Sequence, residues 1–280
     1  MVRIVTARCR RALSRSGLPD LDYALNPYIG CEHGCLYCYG RLYVDPEIGR
    51  EWGEVVVVRE NIVEALRRDV RELRPGVVGV GTISDAYQPI EERYELSRRC
   101  IEVLLKSGFR VSVQTKSSLV ERDTDILRSS RADVGVTITF IEDSIARRIE
   151  PRASPPSERI EVVRRLSRAG VRTWIYLGPV IPGLNDDEET LRFLARLARE
   201  TNSVLYVDRL RVRRFMYSMR TLAPYARRAE SYDWSSYNRL VEEVCREVGV
   251  VCRQGFVGDA VERPRRTLDT FFAEGKSGGR

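Results

Sequence analysis

The chain has 280 residues, a formal net charge of +7, and 43% hydrophobic against 31% charged residues, an ordinary globular mix with room for one large core or two small ones. It holds no run of about 18 apolar residues, which excludes a spanning helix by hydropathy. The opening "MVRIVTARCRRALSRSG" is basic without an apolar signal core, so the cytoplasm is the expected compartment and no membrane partner is expected.

In chain order, the first extended run is "LDYALNPYI". A turn-rich stretch follows, then a helix over "ENIVEALRRDVREL" ended by Pro75-Gly76. "VVGVGTI" reads as a strand, "IEERYELSRRCIEVLLKSG" as one helix, "RVSVQTK" as a strand and "LVERDTDILRSS" as a helix. "DVGVTITF" and "VRTWIYLGPV" are strands, with "SPPSERIEVVRRLSRAG" the helix between them, opened by proline and closed by glycine. "NDDEETLRFLARLARE" is a helix with Asn185 as the expected cap and acids in its first turn. "SVLYVDRLRV" is the sixth strand, and "WSSYNRLVEEVCREVG" and "VVCRQG" a last helix and short strand. Six strands alternating with helices predict parallel strands, as a partial barrel or an open doubly wound sheet. Either architecture puts ligands at the C-terminal strand ends.

Seven cysteines in a chain expected in the cytoplasm argue against a disulfide framework. Cys9, Cys100, Cys245 and Cys252 are scattered and read as small buried hydrophobes, with a Cys245–Cys252 pair left open. Cys31, Cys35 and Cys38 are different, because they fall within eight residues, beside His33, the only histidine. One helix face could carry that spacing, but Gly30 and Gly34 oppose a helix there. A structural zinc needs four ligands, with His33 or Cys9 as the fourth, and no second cysteine pair follows. Three thiolates on a four-iron cluster leave one iron with open coordination positions, where a substrate or cofactor can bind.

CxxxCxxC with an aromatic before its last cysteine, at the end of a first strand in a βα-repeat chain, resembles the radical S-adenosylmethionine superfamily. "NPYIGCEHGCLYCY" is similar to the branch that includes spore photoproduct lyase, a DNA-repair enzyme, as are "GTISDAYQPIEERYELSR", "VQTKSSLVERDTDIL", "ITFIEDSIARRIEPRASPPSERIEVVRRLSRAG" and "GPVIPGLND". The resemblance implies an α/β fold, a partial (β/α)6 TIM-like barrel with a short C-terminal extension. It implies a 4Fe-4S cluster whose open iron chelates S-adenosylmethionine, with an electron donor such as ferredoxin or flavodoxin. Reductive cleavage then gives methionine and a 5′-deoxyadenosyl radical that abstracts hydrogen from the substrate. Residues 1–20 are expected as an N-terminal extension, 21–225 as the core domain, and 226–280 as a C-terminal extension with a disordered tail.

Matched position by position, the resemblance assigns Cys31, Cys35 and Cys38 to the cluster and Tyr37 to the cofactor adenine. It puts Ser84 and Asp85 after the second strand as polar contacts to cofactor or substrate, Asp85 on the catalytic side. Lys116 matches a lysine near the cofactor carboxylate, and Thr137 a hydroxyl that reaches the ribose. Tyr39 matches a catalytic tyrosine of the lyase's radical relay. One departure stands out: where the lyase offers a thiol before its Ser-Asp pair, this chain has Thr82, and an alcohol is a far poorer hydrogen donor. The lyase also has a longer segment before the cluster loop, so thymine-dimer repair itself is not assigned.

The arginine-rich "RLRVRRFMYSMR" and "YARR", interleaved with aromatics, suit phosphate contacts and base stacking, and equally a solvated face. Nucleic acid is therefore the first expectation for the substrate. The rivals are a peptide or small metabolite for the same radical chemistry, and a zinc-stabilised, non-catalytic nucleic-acid-binding protein.

Overall fold

The computed structural model describes residues 2–18 and 20–255. The expected disordered tail lies outside the described residues. Among the described residues no helix is long and apolar enough to cross a membrane.

The short Val- and Ile-rich runs form strands, numbered along the chain as β1 (Arg3–Ala7), β2 (Leu13–Arg15), β3 (Tyr23–Leu25), β4 (Tyr28–Ile29), β5 (Val55–Arg59), β6 (Val77–Val80), β7 (Arg110–Thr115), β8 (Ala132–Thr137), β9 (Thr173–Val180), β10 (Val204–Arg209) and β11 (Cys252–Gln254). The main sheet has the order β2-β3-β6-β7-β8-β9-β10-β11. From β3 to β11 every pairing is parallel, and β2 alone runs antiparallel, against β3. The six strands predicted from sequence are thus β3, β6, β7, β8, β9 and β10, in sequential order, with β11 added at the edge. An all-parallel sheet must be covered by helices, and the core meets that need: Val78, Val80, Val111, Val113, Val134, Val136, Ile175 and Leu205 are buried against Leu66, Ile101, Leu104, Val163, Leu166, Leu194 and Val244 of the crossover helices.

The expected N-terminal extension is built into this frame. β1 pairs with β5, and β5 with β4, in a small second sheet beside the first loop. Asp69, buried on the helix Ile62–Glu72, accepts the backbone N–H of Ala12 at 2.7 Å and of Leu13 at 2.9 Å. At the other end the helix Trp234–Val248 and β11 are joined by a Cys245–Cys252 disulfide, which settles the pairing left open by sequence.

Three local expectations change. The helix expected over residues 90–108 breaks at Glu95, which takes φ 49°, giving Glu91–Tyr94 and Leu96–Lys106. The stretch 118–127 is a 3-10 turn followed by a single helical turn. The cap of the helix Glu188–Glu200 is Asp187, whose carboxylate accepts the Thr190 N–H at 2.7 Å, not Asn185. Asn185 instead reaches inward, donating to the carbonyls of Thr139 at 2.6 Å and Pro179 at 3.0 Å.

Candidate active site

The cysteine loop leaves β4 and crosses the C-terminal ends of the parallel strands. Gly30 and Gly34 allow it to turn there: both have positive φ, 83° and 61°, and a Cβ at Gly30 would run into the Val55 carbonyl. The loop is held from outside by Arg152, whose Nε donates to the Glu32 carbonyl at 2.6 Å and whose Nη2 donates to the Gly53 carbonyl and to Glu54 at 3.0 Å. The backbone joins in, with Leu36 N–H donating to Ile149 O at 2.9 Å and Arg152 N–H to His33 O at 3.2 Å.

Cys31 and Cys35 are buried, Cys38 is partly buried, and all three thiols are free. Burial first, then the Cys31 thiol, raises the proton affinity of Cys38 to about 11, while the Gly40 backbone, Lys116 and Arg41 pull it down. Among the described residues, no group of three or more His, Cys, Asp and Glu is gathered so as to hold a single metal ion. Cys9 lies elsewhere, packed against the main core, and its N–H donates to Asn61.

Lys116 follows β7 and sits beside this loop. Its ammonium is 5.7 Å from the Tyr37 ring centroid. Burial opposes its charge, but Cys35 and Glu150 outweigh burial and raise its proton affinity. Tyr37 is buried, and its hydroxyl lies against Glu150 and, at 3.1 Å, Thr139. Glu150 in turn pairs with Arg159, with both side chains fully buried. Burial alone would raise the Glu150 carboxyl, yet Arg159 and Lys116 hold it below its ordinary value. Arg148, two residues before Glu150, is exposed, and the partner of Glu150 is Arg159.

Asp85 is also brought to the loop, but its oxygens are already engaged. It accepts from Thr115 Oγ1 at 2.7 Å, Lys116 N–H at 2.8 Å and Tyr87 N–H at 2.9 Å, and it stands 3.4 Å from His33 Nδ1. Burial works against that ion pair, but Asp85 and Cys31 raise His33 to about 10, while His33 and the hydrogen bonds hold Asp85 down to about 2. Ser84 is buried and donates to the Tyr28 carbonyl at 2.7 Å. Thr137, at the end of β8, accepts from Gln114 Nε2 at 3.2 Å. Tyr39 is at the rim, 45% exposed, and its hydroxyl donates to the main-chain oxygen of Thr82 at 2.8 Å. The tyrosine and the position where the lyase would offer a thiol are therefore neighbours.

The sequence model of the Radical SAM superfamily matches residues 25–194, which contain the cysteine loop and four of the six predicted parallel strands, β6 to β9. The chain belongs to the radical SAM superfamily. An uncharacterised protein of Methanocaldococcus jannaschii is 31% identical over 188 residues, 67% of this chain and 71% of its own length. A relative from Pseudomonas phage M6, a radical SAM Nalpha-GlyT isomerase, is 24% identical over 184 residues, but the match spans only 38% of that protein. Among solved structures, spore photoproduct lyase in complex with a dinucleoside spore photoproduct has the same fold, with a TM-score of 0.64 at 15% identity, over 90% of this chain and 82% of the lyase. A radical SAM methyltransferase from Sphaerobacter thermophilus is more distant, at a TM-score of 0.57 and 18% identity over 89% of this chain and 69% of its own. The fold is thus the partial barrel of radical SAM enzymes, and membership implies S-adenosylmethionine and an iron–sulfur cluster as cofactors.

Several parts of this radical SAM site were not found by sequence reading. Arg159 had a signal: it shares a helix face with the buried Pro156, Ile160 and Val163, where an arginine needs a buried partner. Arg152 and the Tyr176–Asp208 pair, hydrogen-bonded at 2.9 Å across β9 and β10, had none, since each joins segments far apart in the chain.

Proposed function

We propose that Cys31, Cys35 and Cys38 hold a 4Fe-4S cluster with one iron left open for S-adenosylmethionine, and that the enzyme abstracts hydrogen from a nucleic acid. The observation that carries the reading is three free thiols on one pinned loop, with an ammonium and a buried tyrosine beside them, at the C-terminal ends of a parallel sheet. The donor set fits the group. Cluster thiolates each take a separate iron, so they stand apart, whereas one zinc would draw its ligands around a single point. Three free thiols on one loop, with no fourth thiol in it, suit the former.

When bound, the cluster and S-adenosylmethionine supply one-electron cleavage of the sulfonium, yielding a 5′-deoxyadenosyl radical that abstracts hydrogen. The chain's own residues orient and enclose. Lys116 places a positive charge beside Cys35 and Cys38, which favours thiolate over thiol and suits the cofactor carboxylate. Asp85 acts at one remove: it fixes the Lys116 backbone and His33, so it is a positioning residue, not a group that touches substrate. Glu150, itself held by Arg159, and Thr139 hold the Tyr37 hydroxyl and leave its ring as a wall beneath Lys116. Thr137 accepts from Gln114 and keeps its own hydrogen to donate to a sugar oxygen.

The segment that covers the mouth supports this choice of substrate class. Leu210, Met216 and Leu222 are buried with Cys35 and Tyr37 in one apolar cluster, with Val212, Phe215 and Tyr217 packed on it, so the arginine-rich segment folds onto the cysteine loop. Between residues 209 and 229 there are seven arginines and no acid, and all seven arginines are exposed. That is a polyanion-binding rim beside a radical site. The test is anaerobic reconstitution with iron and sulfide, metal analysis, and assay for 5′-deoxyadenosine on reduction with S-adenosylmethionine present. Stoichiometric zinc without iron uptake, and no 5′-deoxyadenosine, would overturn the reading.

A further inference from the structure

Arginines drawn into the interior here are otherwise given anions or carbonyls. Arg159 binds a carboxylate and two carbonyls, and Arg122 two carboxylates and a carbonyl. Arg41 breaks this pattern. It lies one turn past Cys38, in the 3-10 turn Tyr39–Leu42, and is partly buried. Its guanidinium has no hydrogen-bond or ion-pair partner among the described residues, and its Nε is fully buried with none. Burial lowers its proton affinity, which the nearby Cys38 and Cys35 only partly offset.

A buried donor without an acceptor is costly in a folded chain, and a buried cation more so. What holds Arg41 is the Phe215 ring, with the guanidinium carbon 4.6 Å from its centroid. Stacking uses the flat face of the guanidinium and leaves its in-plane N–H groups free, in the fork that matches a phosphate. Phe215 belongs to the arginine-rich segment, so this fork lies where that segment meets the cysteine loop. Lys116 is the other cation near Cys35 and Cys38, and it lies over the Tyr37 ring rather than that of Phe215. Lys116 also faces Glu150, whereas Arg41 has no carboxylate partner among the described residues. The cofactor carries one carboxylate, which Lys116 serves in the reading above.

We propose that Arg41, braced by Phe215, is the residue that binds a phosphate group of the substrate next to the radical site. This rests on the nucleic-acid reading of the substrate. Arg41 is then specificity-determining: the exposed arginines attract a polyanion by charge, and Arg41 fixes one phosphate at a set distance from the cluster loop.

The test compares wild type with Arg41→Met, which keeps the stem on Phe215 without the charge, and with Arg41→Lys. Iron content and circular dichroism establish that each variant is folded and loaded. Binding of a fluorescent oligothymidylate is followed by anisotropy across a salt series, and S-adenosylmethionine binding by equilibrium dialysis. Arg41→Met is expected to weaken oligonucleotide binding about tenfold and to make the plot of log affinity against log salt shallower by about 0.7. Arg41→Lys should recover the slope but not the full affinity, and S-adenosylmethionine binding should be unchanged in both. Unchanged oligonucleotide binding in Arg41→Met overturns the proposal, as does a selective loss of S-adenosylmethionine binding, which would give Arg41 to the cofactor. If wild type itself fails to bind the oligonucleotide at low salt, the nucleic-acid reading fails. Pyrophosphate binding then decides Arg41 separately: loss in Arg41→Met upholds a phosphate site, and no binding or equal binding refutes it.

Discussion

Replacing Arg159 by methionine removes one half of a buried ion pair and keeps most of the side-chain volume. Glu150 is left fully buried, with Lys116 as its remaining cation, and the carbonyls of Ser154 and Thr137 lose donors at 2.7 and 2.8 Å. Breaking such a pair from one side costs about 3–5 kcal/mol. The loss is expected to depend on pH, and its sign follows from Glu150. Burial raises its carboxyl, but Arg159 and Lys116 bring it below the ordinary value. A depressed folded value means that the stabilisation is present above the unfolded carboxylate value, about 4.3, and disappears as pH falls through the lower folded value. In Arg159→Met burial is opposed only by Lys116 and the hydroxyl hydrogen bonds, so Glu150 takes a proton more readily. The gap between wild type and variant should therefore be widest near neutrality and narrow below about pH 4. Urea unfolding of the metal-free protein, followed by circular dichroism, measures it without interference from cluster loss. Adding Glu150→Gln to Arg159→Met should recover part of the stability, because the stranded charge is gone. A loss below about 1 kcal/mol, or a gap that does not change with pH, would refute the account of this network.

Other outcomes follow from the same geometry. Alanine at Cys31, Cys35 or Cys38 should reduce iron from about four per chain to a small residue while leaving the fold intact, as read by metal analysis and circular dichroism. Asp85→Asn should destabilise the protein by about 2–3 kcal/mol at neutral pH through the lost charge-assisted bonds; since the folded carboxyl is held down to about 2, wild type should keep its advantage until pH falls toward that value, and an equal loss at all pH values would contradict this. Tyr39→Phe loses only the bond to the Thr82 carbonyl, so cluster content and 5′-deoxyadenosine formation should persist while product yield falls or shifts to side products; unchanged product turnover removes Tyr39 from hydrogen return. Serine at both Cys245 and Cys252 should cost about 2 kcal/mol, the entropy of a short closed loop, measured by urea midpoint against wild type under non-reducing conditions.

The barrel was legible because each parallel strand is a short apolar run bounded by glycine, proline or a charged helix, so period and punctuation agree. β1, β2 and β5 were not recognised as sheet members. β1 is mostly exposed, β2 has three residues, and β5 gains its place by pairing with β4 and β1, which are distant in sequence. In the site, the cysteines stood out because their spacing is local. Lys116 and Thr137 were reachable because they lie at strand ends. Ser84 and Asp85 follow β6, but a sequence does not show that their oxygens are spent on Tyr28 O, Thr115 and Lys116 N–H. The Glu150–Arg159 pair and the Arg41–Phe215 stack arise from tertiary contacts, and only an arginine on an apolar helix face betrayed the first.

Whether one iron of the cluster is open to S-adenosylmethionine is decided most directly by electron paramagnetic resonance of the reduced, reconstituted protein with and without the cofactor. The account predicts a reduced-cluster signal that changes shape when S-adenosylmethionine is added, and that is absent in Cys35→Ala. A signal indifferent to S-adenosylmethionine in wild-type protein would mean that no iron is left open, and would contradict the central claim.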